Sequence, residues 1–156
     1  MVNNTLTVGR IEEGFVLDHI QAGRSMDIYK YLHLDQLDCC VAIIKNVQSG
    51  KMGKKDIIKI DAEIEINLDV LGYLDPNITV NIIKDGRLAE KKHLSLPEQL
   101  TNIIKCKNPR CITTIEQEVD HVFRLANEET GLYRCVYCES PSQERRQYRK
   151  IRKRGK

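Results

Sequence analysis

Cys106, Cys111, Cys135 and Cys138 stand in the last third of the chain as C-x4-C, an interval of 23 residues, then C-x2-C. Two short thiolate knuckles of this kind can close around one ion, and zinc prefers a closed tetrahedron of soft sulfur ligands. The competing chemistry is two disulfides, which requires an oxidising compartment. No apolar h-region follows Met1-Val2-Asn3-Asn4, so a cytoplasmic, reducing setting and one structural zinc ion are expected. Four thiolates leave no open coordination position, which argues against hydrolytic zinc chemistry. His121, between the knuckles, is therefore read as a surface or packing residue.

Outside the cysteines, the side chains suited to chemistry are cations and one acid-histidine pair. Asp18-His19 could act as acid and base, but successive strand residues face opposite ways, so they are not expected to address one substrate atom. Gly50-Lys51-Met52-Gly53-Lys54-Lys55 lacks the glycine spacing and the hydroxyl residue of a phosphate loop. Lys51, Lys54, Lys55, Lys59 and Lys91, with Asp18 as an acceptor, could serve a nucleotide: ammonium groups suit a triphosphate and a carboxylate suits ribose or base donors. Cys39 and Cys40 lie in an apolar run without a neighbouring base and are expected to be buried, inert thiols.

Charge is divided unevenly. Net charge over the 156 residues is +3, yet residues 140–156 carry eight basic residues against Glu144 alone, leaving 17 basic and 21 acidic residues in the body. Such a tail is expected to be disordered. The alternative is a zinc-ribbon protein that holds nucleic acid through the tail, with affinity falling steeply as salt rises. The longest apolar run, Cys39 to Ile44, is far too short to cross a bilayer, so no membrane partner is expected. The sequons Asn3-Asn4-Thr5 and Asn77-Ile78-Thr79 then carry no meaning.

The elements that must position these groups follow from apolar period and turn chemistry. Leu6, Val8 and Phe15 to Ile20 read as strand around a turn at Glu13-Gly14. A helix capped by Ser25 runs through Ile28, Tyr29 and Leu32 to Leu34. Cys39 to Val47 and Asp56 to Ile64 read as a hairpin, with Ile58 and Ile60 facing away from Ile57 and Lys59. A second helix spans Asn67 to Leu74, and strands Ile78 to Ile83 and Arg87 to Ala89 flank the turn Lys84-Asp85-Gly86. Strand, helix, two strands, helix, two strands predicts an α+β fold, a ferredoxin-like antiparallel sheet with two helices. Pro97 marks a boundary and suits the first turn of a new helix. Beyond it, Val119 to Leu125 alternates, Asn127 to Gly131 turns, and Leu132 to Cys135 returns, giving a small all-β zinc domain. The expected division is 1–96, 97–139 and the tail 140–156.

These segments together resemble the regulatory chain of bacterial and archaeal aspartate carbamoyltransferase, from about Leu6 to Glu139. The likeness is carried by Val16-Leu17-Asp18-His19-Ile20, Ser49 to Ile60, Thr79-Val80-Asn81, Ser95-Leu96-Pro97-Glu98 and the knuckles Cys106 to Cys111 and Tyr133 to Cys138. The resemblance implies a non-catalytic subunit of pyrimidine biosynthesis whose first domain binds ATP, CTP or UTP and whose zinc domain docks on the catalytic chain, with regulatory homodimers bridging catalytic trimers. It implies an effector pocket of Arg10, Ile11, Val16, Asp18, His19, Lys59, Asn81, Ile83, Leu88 and Lys91, with Lys55 at its edge. Lys91 and His19 would face phosphates, Asp18 the ribose, and Lys59 the ribose and base end. Gly86 replaces an aromatic contact of the family, a departure that bears on base discrimination, and the basic tail lies outside the pattern.

Overall fold

The computed structural model describes residues 9–142. They fall into two compact units that divide between Ser95 and Leu96. Leu6, Val8 and the tail beyond Ser142 lie outside the described residues.

The first unit runs β1 (Gly14–Gln21), α1 (Ser25–Tyr31), a 3-10 turn (Leu34–Gln36), β2 (Val41–Ser49), β3 (Gly53–Ile60), α2 (Leu68–Leu74), β4 (Thr79–Lys84) and β5 (Arg87–His93). Its sheet has the order β2-β3-β1-β4-β5, and every neighbouring pair is antiparallel. This is the expected ferredoxin-like arrangement, extended at one edge by β5. Leu17, Ile20, Ile58, Ile60 and Val80 point to the core face, where Ile28, Leu34, Leu71, Leu74 and Ile78 complete a buried cluster. The alternation of Ile58 and Ile60 against Ile57 and Lys59 holds, with the even positions buried and the odd ones half-exposed.

Local chemistry explains most boundaries. Asn67 caps α2, its Oδ1 accepting from the N–H groups of Asp69 and Val70 at 3.1 and 3.2 Å. Asp85 and Gly86 both take positive φ, 52° and 71°, the pairing that a two-residue hairpin turn needs. Gly14 is required by close approach: a Cβ there would collide with the carbonyl oxygen of Ile60.

Several sequence expectations are corrected. Ser25 does not cap α1; it is the first helical residue, and Arg24 stands at the cap position, where its side chain makes no capping bond. The helix stops at Tyr31 because His33 turns left-handed at φ 53°. The hairpin is shifted from the expected Cys39–Val47 and Asp56–Ile64: β2 starts at Val41, and β3 starts at Gly53 and ends at Ile60. Cys40 is accordingly exposed and Cys39 half-buried, contrary to the expected buried thiols. Among the described residues no helix is long and apolar enough to cross a membrane.

The second unit is a three-stranded sheet, β6 (Gln99–Thr101), β7 (Val122–Asn127) and β8 (Leu132–Cys135), with a single helical turn, α3 (Ile112–Ile115). Pro97 starts no helix: its carbonyl accepts the Tyr133 hydroxyl at 2.6 Å, and Gln99–Thr101 pairs with β7 instead. Leu100, Phe123 and Tyr133 are the large fully buried side chains here.

Candidate metal centre and open sheet face

Three large side chains make a core too small to hold a unit of this size, so the thiols must contribute. Cys111 and Cys135 are buried at the start of α3 and the end of β8, Cys106 is buried in the loop after β6, and Cys138 is half-buried beyond β8. Their four Sγ atoms lie within 4.8 Å of one another. The Cys106–Cys138 and Cys111–Cys135 sulfurs are 3.6 and 3.8 Å apart. A zinc–sulfur bond of about 2.3 Å sets a tetrahedron edge of about 3.8 Å, so the cluster fits one ion. The same separations are far beyond a disulfide bond of about 2.05 Å, and all four cysteines are free.

Hydrogen bonding shapes the knuckles. Asn108 Oδ1 accepts from the Arg110 N–H at 3.0 Å, and the Asn108 carbonyl accepts from Cys111 N–H and the Thr114 hydroxyl. Burial pushes the Cys106 thiol up to about 12 and raises Cys135, whereas hydrogen bonding to Ser140 brings Cys138 down to about 6. Left alone, burial keeps Cys106 and Cys135 protonated; a divalent cation supplies the charge that lets them ligate as thiolates. The ion held there is a structural zinc, and its binding free energy is folding free energy for this unit.

The face of the first sheet opposite the core collects most of the other expected site residues. Partners across an antiparallel pair share a face, and one such row reads Ala42, Lys59, Val16, Asn81, Lys91 across β2, β3, β1, β4 and β5. A neighbouring row holds Gly14, Ile83 and Leu88, and the row on the other side holds Asp18, Thr79 and His93. Arg10 and Ile11 precede β1, Arg10 exposed and Ile11 buried. The Glu12 carbonyl accepts the Gly86 N–H at 2.9 Å, which ties this segment to the β4–β5 turn. Asn81 Oδ1 is buried on this face and has no hydrogen-bond partner among the described residues.

At Asp18-His19 the alternation argument fails. The register of β1 against β3 shifts between Leu17 and Ile20, and His19 takes φ 60°. This bulge brings both side chains to one face: His19 Nδ1 lies 3.1 Å from the hydroxyl of Thr79, the residue paired with Asp18. Asp18 Oδ1 meets Lys55 Nζ at 2.9 Å and accepts the His19 N–H at 2.6 Å. Burial opposes the Asp18 charge, but these bonds outweigh it and hold the carboxyl below its usual range. His19 is lowered by burial and by the cations Lys55, Lys51 and Lys91, against the pull of Asp18. Three lysines, two from the β2–β3 hairpin and one from β5, thus act on one imidazole, a locally positive surface suited to an anion.

Sequence reasoning missed Asp56. Its carboxylate, 0% exposed, accepts N–H groups from Gly23 and Asn46 at 3.1 and 3.0 Å and from Ser25 at 3.4 Å. An acid in the midst of the apolar alternation of β3 was the available signal.

Two family models match the chain. One, described as the aspartate carbamoyltransferase regulatory chain, allosteric domain, covers residues 6–95, and the other, the metal binding domain of that chain, covers residues 98–147. Curated aspartate carbamoyltransferase regulatory chains are similar over most of their length. That of Clostridium botulinum is 52% identical over 134 residues, 86% of this chain and 92% of its own. That of Clostridium tetani is 50% identical over 86% of this chain and 94% of its own, and that of Bifidobacterium longum 40% over 86% and 96%.

Proposed function

The chain belongs to the family of aspartate carbamoyltransferase regulatory chains, a non-catalytic subunit, and from that premise we propose that its open sheet face binds the effectors ATP, CTP and UTP. The reading is carried by the register row of Lys59, Val16, Asn81 and Lys91, which places two cations on either side of an orphaned buried acceptor. Lys91 and His19 take the phosphates, Asp18 the ribose, and Lys59 the ribose and base end. Arg10, Ile11, Val16, Asn81, Ile83 and Leu88 complete the pocket, and Lys55 sets the charge of Asp18 from the edge. The zinc unit docks on the catalytic chain, and regulatory homodimers bridge catalytic trimers. Division into a nucleotide domain, 1–96, a zinc domain, 97–139, and a basic tail, 140–156, follows these roles.

The mechanism is linkage. An effector that binds two states of the assembly with unequal affinity shifts their balance, with coupling of about 1–3 kcal/mol. Calorimetry on the full chain tests the pocket. Lys91→Ala and Lys59→Ala should each weaken CTP and ATP binding by about 1.5–3 kcal/mol, the worth of one charge-assisted contact. Unchanged affinity in both variants refutes the assignment.

A further inference from the structure

The Cys106 backbone N–H donates to His121 Nδ1 at 3.0 Å, across 15 residues of sequence. We propose that His121 is a positioning residue for the zinc: it does not ligate the ion but fixes the first cysteine of the first knuckle by accepting that N–H. The inference rests on the four-thiol zinc site described above. His121 stands outside the group of four sulfurs, and its ring nitrogen is engaged with the backbone of a ligand instead.

The surroundings hold the imidazole for this task. Asn102 clasps the His121 backbone from both sides: Asn102 N–H donates to the His121 carbonyl at 2.7 Å, and His121 N–H donates to Asn102 Oδ1 at 3.0 Å. Asn102 Nδ2 also donates to Asp120 Oδ1 at 3.0 Å. Asn102 sits just past β6 with φ 57°, so a strained residue secures the entry to β7 and thereby the ring. Accepting at Nδ1 requires the imidazole proton to sit on Nε2. Cys106 is 6% exposed, so without this acceptor its N–H would be left buried and unpaired, and the knuckle would gain by reorienting. Groups that orient a ligand in this way are typically worth 10–100-fold in metal affinity.

The test uses the full, zinc-loaded chain and two variants. His121→Asn keeps an acceptor at the δ position; His121→Phe keeps a ring and removes the acceptor. Zinc release to a chromogenic chelator should be about tenfold faster or more in the Phe variant and close to wild type in the Asn variant. The cobalt-substituted Phe variant should show shifted ligand-field bands, and nitrogen NMR of the wild type should find the proton on Nε2. A Phe variant that holds zinc like wild type, equal loss in both variants, or a proton on Nδ1 overturns the proposal. Should the Phe variant fail to fold, the Asn variant and the wild-type tautomer still decide. A wild-type chain without zinc would overturn the metal site itself, a separate outcome.

Discussion

Lys55 and Asp18 form an ion pair whose side chains are 16% and 21% exposed, dry enough for the contact to matter. A carboxyl held below its ordinary 3.8 binds fewer protons folded than unfolded. Its contribution is therefore fully present above that value and lost as pH falls through the lower folded one. Lys55→Met should cost about 0.5–1 kcal/mol at pH 7, and the gap from wild type should close as pH drops below 3.8. Urea unfolding at several pH values reads this directly; a gap constant down to pH 3 would assign the cost to packing instead. The same variant removes one of the cations that lower His19, so proton NMR should find that imidazole titrating higher. What the sequence could show here was limited by the bulge. Alternation put Asp18 and His19 on opposite faces, and the left-handed turn at His19 that reverses this depends on pairing with β3 and β4.

At the level of the element, Asp56 joins three segments: the loop before α1, the helix start and the β2 bulge at Asn46. Asp56→Ala would leave three N–H groups without their acceptor and should cost about 3–5 kcal/mol, in the range that marks a broken buried network. Chemical denaturation of the first unit, followed by circular dichroism, checks it; a loss under 1 kcal/mol would mean water replaces the carboxylate. Elements whose signals are local were legible beforehand. The helix expected over Asn67 to Leu74 matches α2 and its cap, and Asp85-Gly86 marked its hairpin, because caps and turns depend on residues next to one another. The start of β2 and the strand after Pro97 were not, since each is fixed by a distant partner, β3 and β7; the end of α1 was missed because His33 takes a left-handed conformation that a residue other than glycine rarely adopts. The four cysteines were legible for the first reason, and His121 as their support was not, for the second.

In the whole molecule, two units hold themselves together by different means, one by an apolar cluster and the other by an ion and three large side chains. Structural zinc contributes on the order of 10–16 kcal/mol in small peptides. Cys135→Ser should therefore unfold the second unit while leaving the first folded, visible as loss of the downfield amide signals of residues 96–142 alone. Loss of the first unit's signals as well would show that the units depend on each other. Function should separate along the same line. Cys138→Ser should still bind CTP yet fail to join catalytic trimers, and Asp18→Ala should assemble but respond weakly to effectors. Sedimentation, with rates measured with and without nucleotide, distinguishes them; a large, nucleotide-sensitive complex from the Cys138 variant would rule out zinc as the support of the docking surface.

The bulge in β1 also bears on how this chain can change length over evolutionary time. Leu17 and Ile20, three residues apart, both reach the core, each 0% exposed, a spacing that an uninterrupted strand forbids. The strand is thus two phases joined at His19. Losing one residue at the joint would straighten the strand with Leu17 and Ile20 still on the core face, whereas losing one within either arm, the bulge kept, would exchange inner for outer side chains beyond it. Substitutions on the exposed face can accumulate singly, whereas insertions and deletions within either arm must come in compensating pairs, so where lineages differ in the length of this strand the change should fall at the joint, Asp18-His19.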